Sequence, residues 1–199
     1  TIESASPLSM PPEISSSARR VPRSRIRELA DIAMQMDGVI RLYFGEPDVP
    51  TPDYIKRAAA AALSAGFTYY TENAGLPSLR RALASHYQAL HGVTLDPERE
   101  IVVTASGVQA LSVAARALLD PGDEAMVLTP AWPNGSAIVA MSNARPVEIP
   151  HPLGGDRYGI DFERLEAAVS PRTRMLLYTS PSNPLGWVAS GDEQRRLLE

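Results

Sequence analysis

From Glu100 onward the apolar positions change period twice before Trp132. Ile101-Val102-Val103-Thr104 is a β-branched run and reads as a buried strand. Ala105-Ser106-Gly107 breaks it, and Val108, Leu111, Ala115, Leu118 and Leu119 then recur at helical spacing. Asp120-Pro121-Gly122-Asp123 has the composition of a turn, with Pro pre-set for its first central position and Gly free to take positive φ at the next. A second strand, Ala125 to Thr129, ends at Pro130. Strand, glycine turn, helix, tight turn and strand make a βαβ unit whose strands are expected to lie parallel.

The same reading carries through the rest of the chain. Residues 1–22 are rich in Ser and Pro without periodicity, and read as a flexible arm. Ser24 opens a helix with Ile26, Leu29, Ala30, Ala33 and Met36 on one stripe, ending near Gly38; Val39 to Phe44 is a short strand. Thr51 is the expected N-cap of an alanine-rich helix with Pro52 in its first turn, and Gly66 stops it. Phe67 to Ala74 is an aromatic loop closed by Gly75, and Pro77 opens a helix with Leu79, Leu83, Tyr87 and Leu90 on one face. After Trp132, a helix to about Asn143, a strand Pro146–Ile149, a loop 153–159, a short helix capped by Asp161 and a strand Met175–Thr179 follow. Ser190 and Glu193 form a capping box opening a helix whose apolar residues have barely begun at Glu199, so the chain is expected to be the first part of a longer one.

The chemistry of such a chain gathers at strand-to-helix turns. Helix N-termini leave backbone N–H groups unpaired and carry partial positive charge, so Ser106-Gly107-Val108 is a candidate anion cup. Most such turns with a single glycine bind no ligand, and on its own this one reads as structural. Composition removes several other chemistries. The chain has 19 basic and 23 acidic residues, a net charge of −4, and no electrostatic case for nucleic acid. It has no cysteine, which excludes disulfides, thiolate catalysis and zinc–thiolate sites. His86, His91 and His151 are scattered without metal-ligand spacing and are expected at the surface or in packing roles, so no metal is expected. No apolar run is long enough to span a membrane and no secretory h-region is present, and a cytoplasmic location is expected.

Several stretches together resemble the class I/II pyridoxal-5′-phosphate (PLP) aminotransferases of fold type I. They are Gly45-Glu46-Pro47-Asp48 with Thr51-Pro52; Thr68-Tyr69-Tyr70-Thr71 with Gly75; and Val103 to Gly107 with Gln109-Ala110-Leu111. Leu118 to Glu124, Pro130-Ala131-Trp132-Pro133, Pro171 to Arg174, and Ser180 to Pro184 with Gly186 complete the set, in the family's order and spacing from about residue 24 to the end. The resemblance implies an α/β fold with a mostly parallel sheet and helices on both faces. It also implies a partition into an arm (1–22), a small-domain or dimer-contact segment (23–48) and the first part of the large PLP-binding domain (49–199).

The resemblance further assigns roles residue by residue. It places the cofactor phosphate at Ser106, Gly107 and Val108, and the pyridine ring against the indole of Trp132. Asn183 falls where the family donates to the ring hydroxyl oxygen and helps hold the substrate carboxylate. Gly45 falls where backbone lies against that carboxylate, and Tyr70 where a tyrosine reaches across a homodimer to the neighbouring subunit's phosphate. The lysine that holds the cofactor, the aspartate facing the pyridinium nitrogen and the arginine gripping the substrate carboxylate have no counterpart here, so no catalytic residue is expected in this chain. Lys56, its only lysine, lies in the helix after Thr51-Pro52, out of the motif order. Two departures bear on the substrate pocket: Leu185 stands where the family usually has threonine, and Gly135 where it often has tyrosine. Ser106 replaces a frequent glycine in the cup. The implied activity is transfer of an amino group from an amino acid to a 2-oxo acid in a ping-pong cycle. The alternatives are a PLP-dependent lyase of the same fold, or a non-catalytic PLP-binding sensor or fragment.

Overall fold

A computed structural model describes residues 13–199. In chain order its elements are α1 (Ser16–Arg20), α2 (Arg25–Ala33), α3 (Asp53–Ser64), α4 (Pro77–His91), α5 (Gly107–Leu118), β1 (Glu124–Thr129), α6 (Asn134–Met141), β2 (Arg145–Pro150), β3 (Leu153–Gly154), β4 (Arg157–Tyr158), α7 (Phe162–Ala167), β5 (Thr173–Leu177) and α8 (Gly191–Leu198). They fall into two compact units. One takes in the described residues up to Arg23 together with Val108–Glu199; the other is Ser24–Gly107.

The first unit is built on a three-stranded parallel sheet in the order β2-β1-β5. The central strand β1 is buried along almost its whole length, because its alternate residues serve opposite faces. Ala125 packs with Ala115 and Leu119 beside α5 and with Val139 of α6 on one side. Met126 and Leu128 pack with Ile149, Leu165 of α7 and Leu197 of α8 on the other. The chain leaves β1 through α6 to reach β2, then returns past β1 through α7 to β5, which is doubly wound α/β topology with helices on both faces. This agrees with the fold class expected from the pattern.

Local chemistry accounts for the helix ends. The side chains of Ser24, Asp161 and Ser190 each accept the N–H three residues on, and Glu193 returns a bond to Ser190 N–H to complete the capping box. Gly122 takes φ +94° in the turn after α5, where Asp123 N–H donates to Asp120 O at 3.0 Å. The N-cap of α3 is Pro52 rather than Thr51, and no side chain caps it.

Five expectations are corrected. Ile101–Thr104 belongs to no ladder, and Val39–Phe44 likewise forms no strand. A β-branched run supplies propensity, whereas a strand needs a partner, and neither segment finds one among the described residues. The βαβ unit beginning at Ile101 is therefore not formed here, although β1 is parallel to both β2 and β5. The loop 153–159 contains an antiparallel hairpin, β3–β4, turning through Gly155 at φ +66°. Within the stretch read as an arm, Ser15 caps the short helix α1, which packs on α6 and sends Arg20 to Asn143; residues 1–12 lie outside the described residues.

In the second unit, α2, α3 and α4 keep the expected amphipathic stripes, but only Ala30 and Arg80 of their residues are buried. Leu29, Tyr54, Leu63 and Leu90 are each more than 60 % exposed, so these apolar faces are uncovered in the single chain.

Candidate active site

The C-terminal ends of parallel strands are where open α/β sheets bind ligands, because loops there diverge from a common edge. β1 ends at Thr129 and hands the chain to Pro130-Ala131-Trp132; its parallel neighbour β5 ends at Leu177 and leads to Thr179 and the turn through Asn183. Trp132 and Asn183 therefore leave the sheet at the same edge. Trp132 is 37 % exposed, so the indole is anchored yet still open to a flat partner, and Asn183 is exposed. Below Trp132 a recess of about 30 Å³ is lined by Leu111, Val127, Gly135, Leu177 and Thr179, among others.

Gly135 is buried at this recess, and its N–H donates to Trp132 O at 3.3 Å. A Cβ there would stand 2.7 Å from Leu177 Cδ2, so the missing side chain lets the first turn of α6 lie close on β5. Leu185 is half-buried and lines a second, shallower recess of about 300 Å³ with Arg157, Tyr158, Gly186 and Trp187. Beside it His151 is buried in a packing role, its ring 4.6 Å from that of Trp187 and its Nδ1 2.7 Å from Gly159 O. Trp187 Nε1 is buried with no hydrogen-bond partner among the described residues.

The remaining candidates lie at or before the start of α5. Val108 opens the second segment of the sheet-bearing unit; Ser106 and Gly107 close the other unit. Gly107 is the first residue of the 12-residue α5, and nothing lies within 4 Å of where its Cβ would be. Thr104 Oγ1 donates to Ser106 O at 2.9 Å and steadies the turn. Tyr70 is fully exposed in the loop before Gly75, and Gly45 is exposed with open space around its Cα. Lys56 is on α3 and pairs with Asp53 at 2.6 Å.

Two charged residues that the hydrophobic pattern leaves unmarked are buried. Glu124, at the opposite end of β1 from Trp132, is 1 % exposed. Arg145, Ser170 and Arg172 all donate to it. The Arg145 hydrogen bond foremost, then the Ser170 hydroxyl, overcome desolvation and hold its carboxyl at about 2. Arg80 is buried at the start of α4. The one advance signal for Glu124 is its place between a turn and an apolar strand, where a carboxylate must find donors.

Residues 37–199 match the family Aminotransferase class I and II. The chain belongs to that family. It is 40 % identical over 161 residues to a probable aspartate/prephenate aminotransferase of Thermus aquaticus, covering 81 % of this chain and 42 % of that protein. It is 38 % identical over 165 residues to an aspartate aminotransferase of Pyrococcus abyssi, covering 83 % and 42 %. The solved aspartate aminotransferase of Rhizobium meliloti superposes with a TM-score of 0.86 at 36 % identity, over 94 % of this chain and 47 % of that one. The chain thus spans a little under half the length of the aminotransferases it matches, and its fold is that of fold type I enzymes. Among the described residues no helix is long and apolar enough to cross a membrane.

Proposed function

We propose that the protein carrying this chain is a PLP-dependent aminotransferase that moves an amino group from an amino acid to a 2-oxo acid by a ping-pong mechanism. The observation that supports this most is the shared sheet edge: in a chain of this family, an open indole and an exposed amide both follow the C-terminal ends of adjacent parallel strands.

The residues fit a flat phosphorylated heterocycle. Gly107 begins a 12-residue helix with room where a side chain would stand, and with Ser106 and Val108 it supplies backbone at the dipole's positive end for the phosphate. Trp132 gives a face for the pyridine and restrains its tilt. Asn183 donates to the ring oxygen without titrating, and helps fix the substrate carboxylate, against which Gly45 offers bare backbone. PLP supplies, when bound, the electron sink and the group that carries nitrogen between the two substrates. The chain's own part is to bind and orient.

The same reading includes a cytoplasmic homodimer in which Tyr70 reaches the neighbouring subunit's phosphate. The uncovered apolar faces of α2, α3 and α4 support an association of this kind. It also includes the partition into a dimer-contact segment (23–48) and a large domain beginning at residue 49. The experiment is a half-reaction in the complete protein loaded with PLP. Adding an L-amino acid alone shifts the absorbance of the bound cofactor, and a 2-oxo acid then returns it. Elimination products without that reversible shift would contradict amino transfer.

A further inference from the structure

We propose that Arg80 is a positioning residue that holds the Tyr70 loop and the turn at Ser106–Gly107 together as one piece; this rests on the reading of that turn as phosphate-binding. Arg80 is 4 % exposed, and a buried arginine needs partners for its whole fork. Its partners come from two loops. Nε donates to Gly75 O at 3.1 Å, Nη1 donates to Pro97 O, and Nη2 to Glu98 Oε2 at 3.1 Å. The Glu98 side chain is 60 % exposed, which weakens the ion pair, whereas Gly75 and Pro97 are half-buried, so the guanidinium acts as a clamp on their carbonyls more than as an ion pair.

The clamped carbonyl belongs to the residue that joins the two segments. Gly75 closes the aromatic loop at φ +93°, and a Cβ on it would stand 2.6 Å from Val103 Cβ, an atom that cannot swing away. Next to it, Val103 N–H donates to Ala74 O at 2.9 Å. Val103 leads through Thr104, whose hydroxyl is bonded to Ser106 O, into Gly107. Continuous contact therefore runs from the Arg80 guanidinium through Gly75 and Val103 to Ser106. With Tyr70 directed at the neighbouring subunit's phosphate and Ser106–Gly107 at their own, one guanidinium sets both.

The test compares PLP with pyridoxal, which lacks only the phosphate, in equilibrium binding to the complete protein. Arg80→Ala is expected to weaken PLP by ~tenfold or more, on the scale of one hydrogen bond to a charged group, and to leave pyridoxal binding unchanged. Arg80→Lys, which keeps the charge but not the fork, should fall between, and added methylguanidinium should restore PLP affinity to Arg80→Ala. Equal losses for PLP and pyridoxal in both variants would reduce Arg80 to a general structural role and overturn the proposal. So would undiminished PLP preference in Arg80→Lys and Arg80→Ala. If the unsubstituted protein binds PLP no better than pyridoxal, the phosphate reading itself fails and the proposal falls with it.

Discussion

Glu124 and Trp132 stand at opposite ends of β1, and each sets a different property of the molecule. The Glu124 carboxyl titrates at about 2 against an ordinary value of 4.5, because Arg145, Ser170 and Arg172 favour its charged form. A lowered folded-state value means that the unfolded chain binds the proton first, so stability rises with pH in this window. The stabilisation is complete above about 4.5 and is lost as pH falls from there towards about 2. Glu124→Gln should accordingly lower the melting temperature at neutral pH, with the gap to the unsubstituted protein closing below about 4.5. Thermal melts across that range check it. At the other end, Trp132→Ala should weaken PLP binding by up to ~tenfold, the worth of an aromatic stacking contact, while Trp132→Phe keeps most of the affinity. A fluorescence or absorbance titration with PLP reads both.

At the scale of elements, caps and glycines decide where structure stops. Ser190→Ala removes one half of the capping box of α8 and should cost about 1 kcal/mol, measured as a change in unfolding free energy. Gly75→Ala asks an L-residue for a positive φ and pushes its Cβ into Val103; it should cost about 1–3 kcal/mol and loosen the same phosphate grip as loss of Arg80. The helices were the legible elements, since Ser24, Asp161 and Ser190 announce themselves as caps and apolar residues follow at the right spacing. β1 was legible because a strand covered on both faces is apolar throughout. Ile101–Thr104 and Val39–Phe44 carry the same apolar character without a ladder, for pairing depends on a partner elsewhere and not on the run itself. The β3–β4 hairpin is not legible in the pattern because Leu153-Gly154-Gly155-Asp156-Arg157-Tyr158 has turn residues and almost no alternation.

For the whole molecule, the proposed site residues are divided between the two units. The sheet-bearing unit presents Trp132 and Asn183 at one edge; the other holds Gly45, Tyr70, Ser106 and Gly107. That division is not visible in any motif, since it follows from how segments pack. Nor is the burial of Arg80 and Glu124, which hydrophobic pattern assigns to the surface. The proposed site residues come from motif resemblance, and the structure adds only their places: a glycine at the start of α5, an indole after β1 and an amide after β5. The proposed homodimer predicts that the complete protein sediments at twice its chain mass, which analytical ultracentrifugation checks directly. The most direct measurement is a PLP titration of the complete protein, followed by borohydride reduction and mass analysis. This account predicts saturable binding weakened by Trp132→Ala, with the cofactor fixed to the protein after reduction. Absence of saturable binding, or binding indifferent to Trp132→Ala and lost on dialysis after reduction, would contradict it.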